Sequence, residues 1–215
     1  MVLPRAAGAL APPRSSSLPG SALALVLGLG SAARRVRVLH PTGEVHSCRV
    51  QVLGGARTWG ARLLDEPAEH EGLVRVSRGL GLPAPLPDVL GLALRLPGLG
   101  VGGAPLDLLM NTSALRFAFW PDWLSRTYSA ILPHRTGSGQ RVVLGARPVE
   151  GGWELLVAEP LGAWAVWGRL DLGPVVETER IRFLPTVGAD DLAPVELLRQ
   201  VRHEAYLRSQ AASAG

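Results

Sequence analysis

The sequence predicts a mainly β fold with helices (α+β): a closed antiparallel barrel of about eight or nine strands with one helix at the C-terminal end. Three observations lead there. The chain has 215 residues, 47% hydrophobic and 19% charged, enough for one domain with a sizeable core. Its 26 glycines and 18 prolines interrupt it at short intervals, which argues against long helical bundles and coiled coils. Between these breakers, short runs of β-branched and apolar residues recur at strand spacing, and closing such strands into a barrel removes the exposed sheet edges.

The elements follow in order. Residues 1–20, with four prolines and a serine triplet, read as a flexible tail ahead of a single domain spanning 21–215. Residues 22–33 are apolar but too short and too glycine-interrupted to span a bilayer. Arg34 and Arg35 follow that run, whereas a leader wants its basic residues first, so a short packed helix is expected. Strands are expected at 36–39 and 45–53 around a Pro41-Thr42-Gly43 turn, then at 73–77, 90–96 and 106–110. Pro83, Pro85 and Pro87 make 79–88 an extended connector, and the glycines of 98–103 join two strands as a hairpin tip. After an aromatic-rich stretch at 116–125, a second group of strands is expected at 128–132, 140–147, 153–158 and 164–172. Glycine turns at 137–139, 151–152 and 162 separate the members of that group. From 190 to 209, Leu192, Val195, Leu198, Val201 and Ala205 recur at helical spacing, with Asp190 or Asp191 placed to cap the start.

The charge excludes broad nucleic-acid binding despite a sequence pI near 10.4. All 22 basic residues are arginine, and five of them precede the first acid, Glu44. The other 17 face 18 acids, so the body carries a net charge of −1, too little for a phosphate-binding surface. The single Cys48 allows neither an intramolecular disulfide nor a cysteine-based zinc site. A reducing, cytoplasmic setting without membrane association is the expectation.

Signatures of hydrolysis and phosphate binding are absent from the chain: no Walker loop, no Gly-x-Ser-x-Gly elbow, no His-Glu-x-x-His. Two features remain. His40 follows an apolar run and leads into a Pro-x-Gly segment, and Arg202 stands one helical turn before Tyr206. A guanidinium beside a phenol favours the phenolate, which matters chiefly as a metal ligand and is accepted by haem iron.

The local motifs form an ordered series. Arg37-x-x-His40-x-x-Gly43 is followed by Arg75-x-Ser77, by Asp88-x-x-Gly91-x-Ala93-x-Arg95, by Asp107-Leu-Leu-Met-Asn111 and by Arg202-x-x-x-Tyr206. This series resembles the haem-dependent catalase family, including its minimal, peroxidase-like relatives. The likeness covers about residues 36–125 and, locally, the terminal helix. The chain departs from the family in having only 95 positions from Asn111 to Tyr206, and in placing Ser213 where a further propionate-side arginine is usual; Arg208 is a candidate substitute.

The resemblance implies a haem b cofactor, with Tyr206 as proximal iron ligand held as phenolate by Arg202. It implies His40 as distal acid and base, Asn111 as the residue orienting peroxide, and Ser77 as the partner of the His40 ring. Arg37 and Arg75 would pair with the haem propionates, and Leu39, Phe117 and the 120–124 stretch would line the pocket. The activity so implied is a peroxidase reducing hydrogen peroxide or small organic hydroperoxides with a small-molecule electron donor. Rearrangement of, or oxygen transfer from, a bulkier hydroperoxide is one alternative, and a non-catalytic haem- or ligand-binding barrel is another. No nucleic-acid or membrane partner is expected, and exposed tryptophans would make a homodimer possible.

Overall fold

A computed structural model describes residues 42–55, 57–79, 89–112, 127–130, 133–177 and 181–195. The expected tail, the 22–33 helix, the 36–39 strand, the 116–125 aromatic stretch and all of the terminal helix beyond 195 lie outside these residues.

Ten strands are described: β1 (Thr42–Val52), β2 (Ala68–Arg78), β3 (Leu90–Leu96), β4 (Leu106–Asn111), β5 (Tyr128–Ala130), β6 (His134–Thr136), β7 (Arg141–Val149), β8 (Gly152–Ala158), β9 (Ala165–Val175) and β10 (Leu192–Pro194). Eight of them close a ring in the order β1-β2-β3-β4-β5-β7-β8-β9, with β9 returning to β1, and every pairing is antiparallel. The remaining two form a ribbon at one edge of β7: β6 pairs with its start, and β10 pairs with β6. One short helix, α1 (Arg62–Asp65), links β1 to β2. No described helix is long and apolar enough to cross a membrane.

Alternation along the strands sets the two faces. Val50, Val74, Leu92, Leu94, Leu108, Leu144, Leu155 and Leu170 all point inward and are at most 3% exposed, so aliphatic side chains fill the ring. Residues of opposite parity, among them Arg75, Ser77, Gly91 and Asn111, point outward. Any ligand site built from them lies on the outer face of the barrel.

Two expectations are corrected. Thr42 and Gly43 do not turn; they open β1 and pair with Arg78 and Ser77. The breakers around them are outweighed by eleven continuous residues of pairing with β2. The terminal helix does not begin at Asp190: Leu192, Ala193 and Pro194 are paired with Thr136, Arg135 and His134. Asp191 instead accepts the Arg62 amide at 2.8 Å and caps α1, a different helix from the one it was expected to start. Of the tryptophans among the described residues, Trp59, Trp153 and Trp167 are buried and Trp164 is half-buried, while Trp120 and Trp123 lie outside the described residues. The hairpin tip at 98–103 stands as read, with Gly98, Gly102 and Gly103 at positive φ between β3 and β4.

Candidate functional site

The site is built on the outer face of β1 to β5 by strand register. Gly43 pairs with Ser77, Ser77 with Gly91, Gly91 with Asn111, and Asn111 with Ser129, which makes one continuous row across five strands. Residues in such a row share a face, so Ser77 and Asn111 stand on either side of Gly91, two strand spacings or about 10 Å apart. Between them β3 presents only the buried Gly91 and, two residues on, the methyl of Ala93.

Arg75 lies two residues before Ser77 on the same face, opposite Ala93 and Val45. Gly43 presses against both members of the Arg-x-Ser pair. A Cβ on Gly43 would stand 2.7 Å from Ser77 Cβ and 3.0 Å from Arg75 Cζ, closer than side chains tolerate. The glycine of the first motif and the Arg and Ser of the second, distant in sequence, are therefore packed together. Ser77 is buried, and its hydroxyl also makes a long contact of 3.5 Å to the Gly91 carbonyl.

Backbone bonds hold this end of the sheet. The Thr112 hydroxyl accepts the Leu90 amide at 3.1 Å while the Thr112 amide donates to the Leu90 carbonyl at 3.0 Å. The Gly79 amide donates to the Val89 carbonyl at 2.6 Å, so both flanks of the β2–β3 connection are fixed. Further along the same face, Arg95 and Asp107 are register partners and form a bidentate ion pair at 2.7 and 2.6 Å. Hydrogen bonding to the Asp107 carboxylate pushes the Arg95 pKa further up, against the opposing effect of burial.

Of the residues expected to form the site, the structure brings Arg75, Ser77 and Asn111 to one face. Arg37, His40, Arg202 and Tyr206 lie outside the described residues. Sequence reasoning missed Ser129, buried at 1% exposure in the same row. It also gave no role to the Arg95–Asp107 pair. A signal for the pair was present: residues 95 and 107 are equidistant from the hairpin centre at 101, as are 91 and 111.

Among the described residues no cluster of three or more His, Cys, Asp or Glu side chains is placed to hold a metal ion. Cys48 is buried inside the barrel, and burial, with Glu71 adding, pushes its thiol up to about 12.

No family model matches the sequence, and no curated protein matches it. Among solved structures the chain is similar to a fungal catalase at a TM-score of 0.64 and 11% sequence identity, over 94% of this chain. It spans 64% of the length of that catalase. The likeness shows a catalase-like fold, a closed antiparallel barrel of this connectivity. It carries no residue-level information on its own.

Proposed function

We propose that the protein is a haem-dependent peroxidase of catalase-like fold, reducing hydrogen peroxide or small organic hydroperoxides with an external electron donor. The observation that carries this reading is the row Gly43-Ser77-Gly91-Asn111, with Arg75 beside it. Four separate sequence motifs meet there, on the outer face of a barrel whose interior is filled with aliphatic side chains. The filled interior also weighs against a lumen-binding carrier, in which a ligand would occupy the space that these side chains take.

The described residues fit a flat, dianionic macrocycle lying on β3. Gly91 and Ala93 are the two smallest residues that β3 places on this face, Arg75 would supply a guanidinium to a carboxylate, and Ser77 and Asn111 would supply polar atoms on either side. Bound haem would supply the redox-active iron for O–O cleavage. Tyr206 is assigned as its ligand through the phenolate oxygen, and Arg202, four residues earlier, would keep that oxygen deprotonated. His40 is assigned as general acid and base; it stands three residues before Gly43, the residue packed on Ser77. Its ring would take a proton from one peroxide oxygen and deliver it to the departing one. The Ser77 hydroxyl would hold the second ring nitrogen and so fix the tautomer, and the Asn111 amide would hydrogen-bond the peroxide. Arg37 and Arg75 would pair with the propionates.

The test is optical and then chemical. Purified protein supplemented with haem should show a Soret band, and its absence would end the haem reading. A Tyr206→Phe variant should change that spectrum; an unchanged spectrum removes Tyr206 as ligand. His40→Ala should abolish peroxide consumption with haem still bound. Oxidised donor rather than dioxygen as the main product would establish the peroxidase class.

A further inference from the structure

We infer that Arg95 and Asp107 are positioning residues for the carboxylate end of the candidate site, clasping the 182–188 segment across the outer face beside Arg75. This deepens the haem reading and rests on it. The clasp is built from several contacts. Arg95 donates from Nε and Nη2 to the two carboxylate oxygens of Asp107, and Nη2 also reaches the Arg182 carbonyl. Asp107 Oδ2 accepts the Leu184 amide at 2.6 Å, and the Phe183 ring lies 4.9 Å from the Arg95 guanidinium. At the far end the Val101 amide, on the hairpin between β3 and β4, donates to the Gly188 carbonyl at 2.9 Å.

The location of the clasp gives it a role at the site. On the other side of β2, the Val176 amide donates to the Val45 carbonyl at 2.8 Å. Val45 is the register partner of Arg75, whereas Arg95 pairs with Leu73, two residues away on the same face. The chain is thus held beside β1 at Val176 and beside β3 at residues 182–184. From strand spacing and rise, the Cα atoms of Arg75 and Arg95 are about 8 Å apart. Two guanidinium groups that close on one face would compete for an added carboxylate. Asp107 engages the Arg95 fork and commits it to the segment, so the two guanidinium groups are not left to compete.

The chemistry of the pair supports positioning over bulk stabilisation. The Asp107 side chain is 2% exposed and that of Arg95 20%. A desolvated ion pair adds little stability relative to two apolar residues of similar volume, yet it fixes direction and distance. Both side chains point away from the barrel core, which consists of the oppositely directed aliphatic residues.

The test compares wild type with Arg95→Met/Asp107→Leu and with Arg95→Lys, in the full chain. The double variant removes both charges together, leaving no buried ion unpaired, and should retain its strand circular dichroism and cooperative unfolding. Hydrogen exchange at the Leu184 amide should rise at least tenfold, and haem affinity by titration should fall at least tenfold. Haem dimethyl ester, whose carboxylates are blocked, should bind wild type and double variant within twofold of each other. Arg95→Lys, which keeps the charge and loses the fork, should fall between the two. A released Leu184 amide with unchanged haem affinity overturns the positioning role, as does an unchanged Leu184 amide. Equal losses for haem and its dimethyl ester assign the pair to general stability and overturn it too. A wild type without a Soret band ends the haem reading itself, and the positioning role with it, a result distinct from all the others.

Discussion

Ser77 and Asn111 owe their shared face to register, and Gly43 shows how little room that register leaves. Any side chain at 43 must displace Ser77 or Arg75, since a Cβ would stand 2.6 Å from the Val76 carbonyl oxygen as well. Gly43→Val is therefore expected to cost about 1 to 3 kcal/mol in denaturant unfolding, the usual range for overpacking, and to lower haem affinity through Arg75. Ser77→Ala, by contrast, removes a single buried hydroxyl and adds no atoms, so it should cost less stability than Gly43→Val. Its effect should fall on peroxide turnover, which depends on the tautomer of His40, and turnover at the wild-type rate would refute that assignment. Cys48 offers a residue-scale test independent of function. Its thiol is held up to about 12 against an ordinary 9.0, so above pH 9 the unfolded chain loses a proton that the folded chain keeps. Stability should then fall with rising pH between about 9 and 12, at up to about 1.4 kcal/mol per pH unit. Unfolding midpoints at pH 8, 10 and 11 measure this slope, and its contribution should disappear in Cys48→Ala.

At the scale of elements, what the sequence disclosed depended on length and periodicity. The β3–β4 hairpin was legible because two alternating apolar runs flank a glycine-rich tip, which fixes Gly91 opposite Asn111 and Arg95 opposite Asp107. The start of β1 was not, because Pro41 and Gly43 are turn formers in the sequence and only the partner strand reveals that Thr42 and Gly43 are paired. Strands β6 and β10, three residues each, are too short to show a period, and Pro194 is tolerated because β10 is an edge strand. Asp191 was read as the cap of its own helix, whereas the fold brings it 129 residues back to α1. The α1 turn also depends on Asp65, whose carboxylate accepts the amides of Trp59, Gly60 and Ala61 at 2.7, 2.7 and 3.1 Å. Asp65→Ala orphans all three donors, so it should lower stability by about 1 to 3 kcal/mol, more than Asp191→Ala. Thermal melts of the two variants give the order directly.

For the whole molecule, the barrel separates stability from chemistry by facing them in opposite directions. The aliphatic residues of β1 to β9 close the ring inward, and the described motif residues Arg75, Ser77, Arg95, Asp107 and Asn111 project from its outer wall. The catalase-like fold supplies that wall, in a chain spanning 64% of the length of the fungal catalase it resembles. The two faces belong to the same strands, so neighbouring residues can be used to test them separately. Leu94, fully buried, lies between Ala93 and Arg95 but points into the ring. Leu94→Ala should cost about 2 to 5 kcal/mol through lost burial and a residual cavity, while leaving the outward row in register and haem affinity within about threefold. Asn111→Ala, on the adjacent strand and facing outward, should cost less stability than Leu94→Ala and lower peroxide turnover at least tenfold. Parallel denaturation curves and peroxide assays on these two variants decide the matter. If both properties fell together in each variant, the outer face would be inseparable from the core, and the row across β1 to β5 would be packing rather than a site.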